Sequence, residues 1–196
     1  NLLHKWLKEN TITEIIDGKP QTFEKITNKK VSAIMPVYVL GGFVDIENLI
    51  EISSIYGIPI VEDSTEALGS FKKGKHAGTF GSTGVISFNG NKIISTGGGG
   101  MILTNDVEIA KRAKHITTTA KTDPLDYFHD EVGYNYRLVN VLAAIGLAQL
   151  ENIEKIFANK ERIYNRYVKK LKDIKGVIIP KIESYAKYIM WVFNLS

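Results

Sequence analysis

The sequence predicts an α/β protein in which helices cover both faces of a mixed sheet. Two observations predict it. Short apolar runs ending in acids, Asn or Gly alternate with stretches whose apolar residues recur at helical spacing. The composition is that of an ordinary globular chain, 44% hydrophobic and 23% charged over 196 residues, long enough to bury a substantial core. Strand–helix–strand alternation of this kind folds into a sheet flanked by helices.

From the N-terminus, NLLHKWLKEN reads as the end of a helix and DGKPQTFEKITNKK as a polar, irregular connection. VSAIMPVYV is a β-rich run followed by Gly41 and Gly42. Asp45 caps the helix IENLIEISSIYG, with apolar residues at 46, 49, 50 and 52 and Gly57 as its stop. IPIVED is a short buried strand with acids at its carboxyl end, and TGVISF and GGMILT are two more strands. Asn105 and Asp106 cap the helix VEIAKRAKHI. From Leu138 to about Lys175 the pattern is helical throughout. Its first third is apolar and small, which predicts burial; its last third is amphipathic and basic. GVIIP and YIMWVFNLS read as strands of a new unit.

The charge balance and the cysteine count exclude several classes. Net charge is +4, from 25 Lys+Arg against 21 Asp+Glu, too mild an excess to argue for nucleic acid. The basic helix KERIYNRYVKKLKDIK reads as a solvated face. There is no cysteine, hence no disulfide, thiolate metal site or cysteine nucleophile. That absence fits the cytosol. No apolar signal region is visible, and the apolar, uncharged run Val31 to Val44 is well short of the ~20 residues a spanning helix needs. A soluble, cytoplasmic protein without a membrane partner is expected. His4, His76, His115 and His129 show no metal-ligand spacing, so no metal is expected.

The stretch with chemistry in it is SFNGNKIISTGGGG, from Ser87 to Gly100. A Walker A loop fails, because Lys92 is followed by Ile93 where a hydroxyl is needed. A dinucleotide fingerprint fails too, because the glycines run into the strand-like MILT and not into a helix. What remains is a lysine amine used as a reactive group. Asp63 ends the strand IPIVED about thirty residues earlier, and the carboxyl ends of strands border the ligand crevice in α/β sheets. A lysine Schiff base with an aspartate on a pyridinium nitrogen is the pairing of pyridoxal phosphate enzymes. Each residue also has a plainer reading: Asp63 as a helix N-cap, Ser87 as a strand hydroxyl, Asn135 as a turn residue, Glu66 as a solvated charge.

Three segments, VEDSTEALGS, GTFGSTGVISFNGNKIISTGGGGMILTND and HDEVGYNYRLVNVLAAIGLAQLENI, resemble the DegT/DnrJ/EryC1/StrS family of sugar-nucleotide aminotransferases. The resemblance covers nearly all of residues 31–196. It implies fold type I of the pyridoxal phosphate-dependent transferases, with a mainly parallel mixed sheet. Lys92 matches the lysine that forms the Schiff base with pyridoxal phosphate, and Asp63 the aspartate on its pyridine nitrogen. Glu66 stands where the family has Gln, His or Glu beside the ring hydroxyl. Ser87 matches a serine on the phosphate, and Asn135 an asparagine reaching the phosphate from the neighbouring subunit. No firm role attaches to Tyr134 or Arg137.

The same resemblance implies transfer of an amino group from glutamate to a 4-keto-6-deoxy sugar nucleotide, for surface polysaccharide or glycoconjugate amino sugars. It is nearest to enzymes that aminate UDP-4-keto-6-deoxy-N-acetylhexosamines in legionaminic acid or perosamine-type pathways. A sugar dehydratase on the same scaffold is the first alternative; the family's dehydratases place His where Lys92 stands. A non-catalytic sugar-nucleotide-binding relative is the second. Family members are longer, so the chain is expected to be an internal fragment. Residues 1–155 would then belong to the large cofactor domain, lacking its N-terminal part, and residues 156–196 would begin a small C-terminal domain. A homodimer with shared active sites is expected from Asn135 and the apolar VLAAIGLAQL.

Overall fold

The computed structural model describes residues 2–123, 125–179, 186, 187, 189 and 193. Helix α1, Leu2–Asn10, buries Leu7 and ends where the Thr11 hydroxyl donates to Leu7 O at 2.6 Å. The chain then turns into strands β1, Thr11–Ile16, and β2, Lys19–Glu24, an antiparallel hairpin in register from Thr11↔Glu24 to Ile16↔Lys19. This corrects the irregular connection expected here. The turn is Asp17–Gly18, both at positive φ (52° and 72°), the conformation a two-residue hairpin turn demands. Thr22 fastens the hairpin to the next helix by donating to Tyr56 O at 2.6 Å.

A short 3₁₀ turn, Val39–Gly41, precedes helix α2, Ile46–Tyr56. Strand β3, Val61–Asp63, the small antiparallel pair β4, Phe71–Lys72, and β5, Lys75–His76, and strand β6, Thr83–Ser87, follow. Strand β7 is Gly100–Leu103 and helix α3 Val107–Thr117, capped by Asp106, which accepts from the amides of Glu108 and Ile109. The central sheet runs β3–β6–β7, parallel in the first pair and antiparallel in the second, so the expected mixed sheet is present. The predicted strand VSAIMPVYV is reduced to two isolated parallel bridges, Ile34↔Ile60 and Val37↔Asp63, beside β3. Pro36 sits between them; it accepts from the Asp63 amide but has no N–H to donate to a ladder.

The single long helix expected from Leu138 divides into α4, Asn140–Leu150, and α5, Ile153–Leu171. At the break the Asn152 amide group donates back to Ala148 O at 2.9 Å, a local bond that competes with helix continuation. Helix α4 was expected to be buried, yet none of its residues is. It is apolar around its whole circumference, and one neighbour can cover only one stripe of a helix. Strand β8, Ala186–Lys187, pairs with β4. Residues 176–179 of GVIIP are not in a strand, and most of YIMWVFNLS lies outside the described residues. The expected division after residue 155 falls within α5, whose buried Phe157 packs with Ile86 and Phe88. A separate cluster joins Leu7 of α1 and Ile46, Ile52 and Tyr56 of α2 to Ile34, Ile58 and Ile60. Among the described residues, no helix is long and apolar enough to cross a membrane.

Candidate active site

Parallel pairing of β3 with β6, in register at Asp63↔Val85, brings Asp63 and Ser87 to the same edge of the sheet, where both strands stop. Beyond Asp63 the segment STEALG forms turns and not a helix, so the carboxylate caps no helix; its Oδ1 accepts from Thr65 N at 3.2 Å. The Ser87 hydroxyl accepts from Asn89 N at 3.2 Å.

After Ser87 the chain makes a loop whose two ends are hydrogen-bonded together: Thr96 N donates to Phe88 O at 2.9 Å and Phe88 N to Gly99 O at 3.0 Å. Lys92 lies within it, its amide bonded to Asn89 O at 3.0 Å, and the buried Ile93 and Ile94 anchor the loop in the Ile86–Phe88 cluster. The glycines that close it have two duties. Gly97 and Gly99 hold φ of +81° and +89°, a region that side-chained residues rarely adopt, and a Cβ at Gly100 would stand 2.6 Å from Ile86 O.

The Lys92 side chain is only 13% exposed, and its Nζ lies 3.6 Å from Glu66 Oε1. That separation is an ion pair rather than a hydrogen bond. The other Glu66 oxygen accepts from Leu40 N at 2.7 Å. Glu66 therefore joins the lysine to the Val39–Gly41 turn, in which Leu40 has φ 57°. The structure thus brings Lys92 and Glu66 together and sets Asp63 and Ser87 at a common sheet edge. Asn135 is exposed and pairs with Thr118 by an antiparallel bridge, in the loop between α3 and α4.

Sequence reasoning missed Glu62. Its carboxylate is fully buried and accepts from the Tyr38 hydroxyl (2.5 Å) and the amides of Gly78 (2.8 Å), Phe80 (2.6 Å) and Gly81 (2.5 Å). Burial, and then the Glu62 carboxylate, push the Tyr38 phenol far above its ordinary range. The signal was available: successive residues of a strand face opposite sides, so one of two adjacent acids in a buried strand must turn inward. His76 is also internal. Its Nε2 lies 2.8 Å from Gly69 N, which donates to it, so its proton is on Nδ1, 2.5 Å from Ala77 O. Burial lowers its pKa, against smaller opposing effects of the Ala77 carbonyl and Glu62.

An amine, two carboxylates and a hydroxyl at the end of parallel strands form the donor set that a phosphorylated pyridine aldehyde requires. The space beside the loop is open as well, since a Cβ at Gly97 or Gly98 would meet nothing within 4 Å. The residues present fit pyridoxal phosphate.

Comparison with known proteins points the same way. The sequence model of the DegT/DnrJ/EryC1/StrS aminotransferase family matches residues 14–195. GDP-perosamine synthase of Caulobacter vibrioides is 34% identical over 189 residues, 92% of this chain and 51% of its own length. GDP-perosamine synthase of Escherichia coli O157:H7 is 42% identical over 154 residues, 79% of this chain and 42% of its own. The crystal structure of a DegT DnrJ EryC1 StrS aminotransferase from Brucella abortus superposes with a TM-score of 0.79 at 27% identity, covering 87% of this chain and 45% of that one. The chain thus spans about half, or less, of these relatives. With the family's sequence pattern, its fold and a lysine–carboxylate pair at the strand ends, the chain belongs to the DegT/DnrJ/EryC1/StrS aminotransferase family, whose cofactor is pyridoxal phosphate.

Proposed function

We propose that the protein is a pyridoxal phosphate-dependent aminotransferase that moves an amino group from glutamate to a 4-keto-6-deoxy sugar nucleotide. The observation that carries this reading is the Lys92 amine, largely shielded from solvent and 3.6 Å from Glu66, in the loop that follows Ser87 at the end of β6. When bound, pyridoxal phosphate supplies an aldehyde for amines and an electron-withdrawing ring. The chain's residues supply the rest. Lys92 would hold the cofactor through its amine and would carry a proton to and from the substrate carbon. Asp63 would stabilise the protonated ring nitrogen, and Glu66 would stand beside the ring hydroxyl. Ser87 would donate to the phosphate, and Asn135 would reach the phosphate of a neighbouring subunit in a homodimer. The whole protein would act in the cytoplasm on amino sugars for surface glycans. Two relatives named as GDP-perosamine synthases support a sugar-nucleotide substrate.

Borohydride reduction of the full-length protein with pyridoxal phosphate, followed by peptide mapping, tests the assignment. The pyridoxyl group should appear on the peptide containing Lys92, and Lys92→Ala should abolish glutamate-dependent amination. Label on Lys72, Lys73 or Lys75, with Lys92→Ala still active, would refute it.

A further inference from the structure

Residues 118–123 and 125–137 leave α3 and fold back along its C-terminal end. Tyr134 N donates to Ile116 O at 2.7 Å, Tyr136 N to Thr117 O at 3.0 Å, and Thr119 N to Tyr134 O at 3.0 Å. Backbone bonds therefore hold 134–136 against the end of α3. The Tyr134 and Tyr136 rings stack with centroids 5.1 Å apart, and Asn135, between them in sequence, is exposed.

Side chains tie the same loop to the body of α3. Arg112 forks onto both oxygens of Glu131, with Nη2 2.6 Å from Oε2. Three residues further along the helix, His115 Nε2 lies 2.7 Å from Asp130 Oδ1 and 3.4 Å from Glu131 Oε1. A single exposed ion pair contributes little, but a bidentate fork joined to a second contact is the exception. The Arg112 hydrogen bond, first, lowers the Glu131 carboxyl pKa. His115, Asp130 and Glu131 present ligand atoms within 4.8 Å of one another, as a cation site would. Arg112 already engages both Glu131 oxygens, which makes the group a clamp.

We infer that Arg112 and Glu131, backed by His115 and Asp130, are positioning residues that lock the 118–137 loop to α3 and so present Asn135 in one conformation. The inference rests on the reading of Asn135 as a phosphate donor. It means that the loop is organised by its own chain before any partner subunit or cofactor arrives.

The test uses the full-length protein with Arg112→Glu, the swap Arg112→Glu/Glu131→Arg, Asn135→Ala, and Arg112→Glu/Asn135→Ala. Glu131→Gln serves as a milder variant should charge reversal impair folding. Amide hydrogen exchange at Thr119, Tyr134 and Tyr136 reads the clamp directly, and titration of the apoprotein with pyridoxal phosphate reads its consequence. Arg112→Glu should speed exchange at those amides and weaken cofactor binding about fivefold, with the swap recovering most of both. Asn135→Ala should weaken binding about tenfold, and adding Arg112→Glu to it should cost nothing more, because the clamp acts through Asn135. Unchanged exchange in both Arg112→Glu and Glu131→Gln, or additive losses in the double variant, would overturn the inference. Wild-type affinity in Asn135→Ala would overturn the role of Asn135 alone, with the exchange measurement still deciding the clamp.

Discussion

Glu62 and Asp63 are adjacent acids on one three-residue strand, and they meet opposite environments. The pleat turns Glu62 inward, where it gathers three backbone amides and the Tyr38 hydroxyl, and leaves Asp63 half-buried at the sheet edge. The loop 78–81 is thus shaped around a buried charge. Glu62→Ala would strand those donors without water, and the expected loss is about 3 kcal/mol or more. Tyr38→Phe removes one neutral donor from a carboxylate that keeps three others, and should cost about 1–2 kcal/mol. Urea unfolding of both variants checks the order; a Glu62→Ala protein as stable as wild type would contradict the buried network. At this scale Lys92 stood out in the sequence, as a lysine between a polar turn and four glycines, and the structure adds its low exposure and its approach to Glu66. The role of Glu62 was not legible, because a sequence records the acid but not its donors.

The β4–β5 hairpin has an imidazole bonded at its base, beside its own backbone ladder. His76 closes it by accepting from Gly69 N and donating to Ala77 O, an arrangement open only to the neutral ring. Its folded pKa is lowered from 6.5, chiefly by burial, while the unfolded chain takes up the proton normally. The unfolded state therefore binds more protons in the window below 6.5. The His76 contribution to stability is complete above that value and is lost as pH falls through the folded pKa. Comparing urea midpoints at about pH 7.5 and 5.5 should show a larger acid loss for wild type than for His76→Gln. Equal losses would remove His76 as the cause. Element reading from sequence succeeded where one signal dominated, as at the Asp106 cap. It failed at TITEII–DG–KPQTFE, where an Asp-Gly turn was overlooked because its second strand, KPQTFE, is polar and carries a proline.

On the scale of the whole molecule, much of the apolar surface of α4 is left exposed among the described residues, although Gln149 bonds to Ser95 on one side. Val141 is 71% exposed and Leu147 57%, and Phe128 and Val132 in the preceding loop are exposed as well. In the proposed homodimer this surface meets the partner and Asn135 reaches the partner's cofactor. Val141→Glu with Leu147→Glu, in the full-length protein, should shift sedimentation from dimer to monomer. Cofactor affinity should fall in parallel, because each half would lose the other's asparagine. A wild-type enzyme that is monomeric and fully active in dilute solution would sink the shared-site reading.

The sequence by itself determined the α/β class, the order of β3, β6 and β7 with their helices, and the family motifs around Lys92. Periodicity, caps and glycine runs are local, and each can be read within a dozen residues or so. Only the tertiary structure decided that Glu66 faces Lys92, that Glu62 organises the loop at 78–81 and that Arg112 grips Glu131. These pairs are distant in sequence, and sheet register and helix packing alone bring them within reach. The break between α4 and α5 and the exposure of α4 belong to the same class. Both depend on what lies beside a helix, and a hydrophobic pattern states how much surface must be covered without naming what covers it.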